Sequence, residues 1–132
     1  MLKAEGLERV YARHDRLARA TRAAATALGL RLLAPDAPSP AATAIMLPED
    51  VDGAALVRYL RDRMRVTFAG GQDRLKGRVV RLAHLGYADA FDVVTGVAAL
   101  ELALRHFGAP IELGRGVGAA EAILAEGLPP RG

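Results

Sequence analysis

The chain has 132 residues with 52% hydrophobic content, enough for one domain with its own core. Cysteine is absent, which excludes disulfides, thiolate metal ligands and thiol nucleophiles together and fits a reducing compartment. The net charge of +3 comes from basic residues interleaved with acidic ones, and aromatics are 5%, so the basic stripe with stacking rings that nucleic-acid binding requires is missing.

A helix is expected over residues 5–29, where Leu7, Val10, Tyr11, Leu17, Ala18, Ala24, Ala25 and Leu28 share one stripe, interrupted by His14 and Thr21. Arg9, Arg13 and Arg16 form another stripe that reads as a solvated face. Gly29 is placed to stop the helix. The apolar stripe is long for so small a domain, so part of it is expected to meet something outside the chain's own core. No run of about 18 apolar residues suggests a membrane span, and the first six residues lack a secretory leader's apolar core, so a cytoplasmic location is expected.

Residues 30–33 predict a short strand. Residues 34–40, with Pro35, Pro38 and Pro40, predict a loop. Residues 43–47 predict a second strand, ended by Pro48. Asp52 is a suitable N-cap for a helix over 54–64, with Leu56, Val57, Leu60 and Met64 inward and Arg58, Arg61, Asp62 and the following Arg65 outward. A third strand is expected over 66–69. Residues 70–77 form a glycine-rich link whose paired Gly70 and Gly71 suggest close backbone approach or positive φ. They are not a P-loop, because no Gly-Lys-Ser/Thr follows.

Residues 77–86 predict the fourth strand. A cap near Asp89 leads into a helix to about Phe107, with Val93, Val94, Val97, Leu100, Leu104 and Phe107 as its buried stripe. Residues 111–118 read as a loop; Gly114, Gly116 and Gly118 lack the dinucleotide fingerprint's spacing and preceding strand. Residues 119–124 predict a short last helix, and 127–132 a frayed, flexible tail, leaving 1–126 as the domain. This order predicts an α+β fold: a small, mainly antiparallel sheet with helices packed on one face.

The strand at 77–86 carries the most pointed chemistry. Alternation puts Val80, Leu82 and His84 on one face and Val79, Arg81, Ala83 and Leu85 on the other. A guanidinium amid apolar neighbours calls for an anion, and its planar fork suits a carboxylate or phosphate. The same spacing also fits an arginine whose stem packs at a sheet edge while its head reaches water. His14, His84 and His106 are too scattered for a metal site. His84 reads as a packing histidine, and Ser39 has no partner that would make it a nucleophile. Lys76 is the interior lysine available for a Schiff base, but its polar loop offers nothing to depress its pKa. These residues read as an anion-binding module.

Several stretches together carry a family resemblance. They are Gly6-Leu7-Glu8 and Ala27-Leu28-Gly29-Leu30 around the long helix, Val66-Thr67-Phe68-Ala69-Gly70-Gly71-Gln72, and above all residues 77–86. Residues 87–107 and Pro110-Ile111-Glu112-Leu113-Gly114 add to them. The segment from Gly6 to Leu124 resembles the C-terminal small domain of class V, fold-type I pyridoxal-phosphate aminotransferases. It is most similar to the alanine–glyoxylate and serine–glyoxylate (serine–pyruvate) group, which includes members labelled soluble hydrogenase subunits.

The resemblance implies that Arg81 holds the α-carboxylate of an amino-acid or keto-acid substrate, with Gly70, Gly71 and Gln72 lining the site. It implies pyridoxal 5′-phosphate in the complete enzyme, none bound by this chain alone, and a homodimer. The cofactor, its lysine and its phosphate ligands would belong to a large N-terminal domain that this chain lacks. The rival expectation is a non-enzymatic α+β module that dimerises or binds a partner chain.

Overall fold

The two longest alternating segments pair with each other at the centre of the molecule. The computed structural model describes residues 4–32, 42–70, 77–83 and 90–128; for 4–11, 14, 42, 69, 82 and 83 it describes the backbone alone. The elements are α1 (Ala4–Ala27), β1 (Arg31–Leu32), β2 (Ala42–Met46), α2 (Gly53–Arg63), β3 (Ala69–Gly70), β4 (Val79–Ala83), α3 (Ala90–His106) and α4 (Arg115–Leu124). A 3-10 turn, Ala125–Gly127, follows α4. The four strands form one sheet in the order β1-β2-β4-β3, antiparallel at each pairing.

Register explains which face is covered. Ile45 lies opposite Val80, and both are buried in a core with Leu56 and Leu60 of α2, Leu100 and Leu104 of α3, and Ala25 of α1. Apolar burial of this kind stabilises by about 25 cal/mol per Å² removed from water. A second cluster joins Leu17, Ala20 and Ala24 of α1 to Val93 and Val97 of α3 and Ala120 of α4, where small side chains let the helices approach closely. The expected α+β layer is therefore present. The opposite sheet face carries Ala44, Met46, Val79 and Arg81.

The helix ends follow local chemistry. Asp52 accepts hydrogen bonds from the Ala54 and Ala55 N–H groups at 3.0 and 3.2 Å, satisfying two free donors at the start of α2. Gly29, at φ 78°, turns the chain out of α1, and the Leu30 N–H returns to the Ala25 carbonyl at 2.9 Å.

Three expectations need correction. The third strand covers only Ala69–Gly70, not 66–69. Arg65 takes a positive φ of 57° and the Val66 N–H folds back onto the Leu60 carbonyl at 2.9 Å, so 66–68 serve the exit from α2 and not the ladder. Arg16 is not on a solvated face: it is half-buried, with its guanidinium so close to Gly127 that a Cβ there would lie 2.5 Å from Nη1. Arg19 bonds Glu126 at 2.9 Å, tying the 3-10 turn to α1; residues 129–132 of the expected tail lie outside the described residues.

The last helix is the third correction. It begins at Arg115, well before 119. The glycine-rich segment is helical because Glu101 of α3, only 3% exposed, caps it from outside. Glu101 Oε1 accepts the Gly114 N–H at 2.7 Å and Oε2 the Val117 N–H at 2.9 Å. Gly116 permits this approach, since a Cβ there would sit 2.8 Å from Oε2 and 2.9 Å from Leu28 Cδ1.

Candidate functional site

Arg81 occupies the middle of β4, an interior strand. Its register partners are Ala44 on β2 and Ala69 on β3, two residues with nothing beyond Cβ. The side chain is exposed, and Nη2 donates to the Gly70 carbonyl at a long 3.4 Å. Among the described residues it has no ion pair, so most of its guanidinium donors remain available. The exposed head is that of the second alternative, an arginine whose head reaches water, although β4 lies between β2 and β3 and not at the sheet edge.

Gly70 ends β3 beside this guanidinium and supplies a carbonyl that it touches. The expectation of close approach or positive φ fails at Gly70: its φ is not positive, and nothing lies within 4 Å of where a Cβ would be. The positive φ belongs to Gly77, at 80°. There the Gly77 carbonyl accepts the Gly53 N–H at 2.9 Å and locks the start of α2 against the entry to β4. Gly71, Gln72, Lys76 and His84 lie outside the described residues, as does Ser39.

Other chemical groups are placed elsewhere. His106 stacks on Tyr59 with ring centroids 4.4 Å apart and Phe107 at the edge of both rings, a packing role at the end of α3. No group of three potential metal ligands occurs among the described residues. Asp62 is held below its ordinary carboxyl range by its hydrogen bond to Arg61, and Arg61 is raised in turn; both are exposed and outside the Arg81 site. No helix among the described residues is long and apolar enough to cross a membrane.

A sheet-and-helix layer of this shape has close parallels. The chain superposes on pyridoxamine–pyruvate aminotransferase from Mesorhizobium loti with a TM-score of 0.87 and 34% identity, over 94% of this chain and 32% of that one. It is 40% identical over 122 residues to serine–glyoxylate aminotransferase of Hyphomicrobium methylovorum, covering 91% of this chain and 30% of that protein. It is 42% identical over 127 residues to the small subunit of a soluble hydrogenase of Synechococcus sp., covering 95% and 33%. This chain corresponds to the small, C-terminal domain of the class V aminotransferases. No protein-family model matches it. The chain spans about a third of the length of the curated relatives it matches.

Aminotransferases of this class work with pyridoxal 5′-phosphate. The chain's two lysines, Lys3 and Lys76, lie outside the described residues. Ala44 and Ala69 were visible only as ordinary strand residues, and cross-strand register alone reveals that they flank Arg81.

Proposed function

We propose that this chain acts as the substrate-closing part of a pyridoxal-phosphate aminotransferase, with Arg81 holding the α-carboxylate of the amino acid and of the keto acid in turn. The amino group would pass from an alanine- or serine-type donor to an acceptor such as glyoxylate or pyruvate, in line with the names its relatives carry. The observation that carries this reading is the exposed guanidinium of Arg81 on a strand registered between Ala44 and Ala69, with no ion pair among the described residues.

A guanidinium–carboxylate contact contributes about 1.5–3 kcal/mol and fixes orientation; it breaks no bond. The cofactor supplies the electron sink and is carried by protein outside this chain. The division of labour follows: this domain orients and encloses, the remainder reacts, and the chain alone is inactive. The complete protein is proposed to be a homodimer.

The test is substrate kinetics in the complete protein. Arg81→Ala should raise KM for both amino acid and keto acid by about 10- to 100-fold, with Arg81→Lys in between. An unchanged KM in the alanine variant would overturn the role. Mixed with pyridoxal phosphate, the isolated chain should develop no absorbance near ~420 nm; a band there would make Lys76 a candidate and refute the division.

A further inference from the structure

The sheet is indented at the end where β1 begins and β2 ends. A cleft of about 350 Å³ lies there, lined by Leu30, Arg31, Met46, Leu47, Glu49 and Arg78 among others. Its volume falls within the range of small-molecule sites, on the order of 300–1,000 Å³. The lining has two characters. Leu30 and Leu47 are buried core residues and Met46 is half-buried, giving an apolar floor. Arg31, Arg78 and Glu49 are exposed, so the rim carries two cations and one anion.

Among the described residues, neither guanidinium has a hydrogen-bond or ion-pair partner, and Glu49 joins no salt bridge to them. The backbone around the cleft is already committed: the Leu30 N–H bonds Ala25 and the Leu47 N–H bonds the Arg78 carbonyl. Polar recognition there falls to the side chains, with one positive charge in excess.

We propose that this cleft binds a small organic monoanion with an apolar body, its carboxylate on Arg31 and Arg78 and its hydrocarbon over Leu30, Met46 and Leu47. Arginine suits the head group because its fork matches planar oxyanions, and the leucines suit the body because it leaves water there. The site is separate from Arg81 and does not depend on that residue's role.

The test is an amide-resolved NMR titration of the 132-residue chain with hexanoate, acetate, hexanol and a short acidic peptide at fixed ionic strength. Hexanoate should give saturable shifts at Leu30, Arg31, Leu47, Glu49 and Arg78, with acetate and hexanol each weaker by about tenfold or more. The double variant Arg31→Gln/Arg78→Gln should weaken hexanoate by at least about tenfold, and Glu49→Gln should strengthen it. Both arginines are exposed, so unchanged shifts at core amides such as Val97 will verify that the variant folds. No saturable hexanoate shift, equal response to acetate, insensitivity to the double variant, or binding of the acidic peptide alone would each overturn the proposal. The last would make the cleft a polypeptide-docking surface.

Discussion

Glu101 reaches from α3 to the Gly114 N–H at 2.7 Å and thereby starts a helix to which it does not belong. Its other oxygen takes the Val117 N–H at 2.9 Å, so one buried carboxylate satisfies two of the donors that α4 leaves free. Glu101→Ala should lower unfolding free energy by about 2–4 kcal/mol, since both donors lose a charged acceptor. Glu101→Gln, which keeps one acceptor, should cost about half as much. Urea unfolding reads both, and equal stability of the alanine variant and the parent would show that α4 needs no external cap.

The glycines divide by what surrounds them. Gly53→Ala would put a Cβ 2.6 Å from the Gly77 carbonyl oxygen, a backbone atom that cannot step aside. It should cost about 2–3 kcal/mol. Gly116→Ala meets the ends of the Glu101 and Leu28 side chains instead, which can yield, and should cost less, about 1–2 kcal/mol. Gly70→Ala meets nothing and should be neutral within about 0.5 kcal/mol. A reversed order in thermal unfolding would contradict the packing around α2 and α4.

Asp52→Ala removes the acceptor for Ala54 and Ala55 at the start of α2. A loss of about 1 kcal/mol is expected in denaturant unfolding, and Asp52→Asn should recover most of it. No recovery by asparagine would mean that charge, not hydrogen bonding, holds this end.

Arg81→Ala should leave the stability of the chain within about 0.5 kcal/mol of the parent, because the side chain is exposed and its hydrogen bond to Gly70 is long. A large destabilisation would reassign Arg81 to holding the sheet together, in place of receiving an anion.

Where the sequence was legible, periodicity carried it. The apolar stripe of α3 and the inward residues of α2 are buried or half-buried as expected, because each repeats at helical spacing over several turns. The alternation of β4 put Val80 inward and Arg81 outward for the same reason. The failures at 111–118 and at Arg16 have a common cause, which is contact between distant segments. Residues 111–118 looked like a loop because glycine weakens a helix, and nothing nearby announced that Glu101 would cap it. Arg16 looked solvated because its cover, Gly127, lies at the far end of the chain. Arg81 itself was readable as a position, but the alanines beside it became a feature only once β2, β4 and β3 were placed in register.

β4 is bonded along both edges, to β2 and to β3, so the backbone at Arg81 has no loop to swing on. A displacement of the Arg81 backbone would have to carry the sheet with it, along with the helices whose side chains are seated on Ile45 and Val80. Substitutions that soften this block would blur the aim of the guanidinium without touching it.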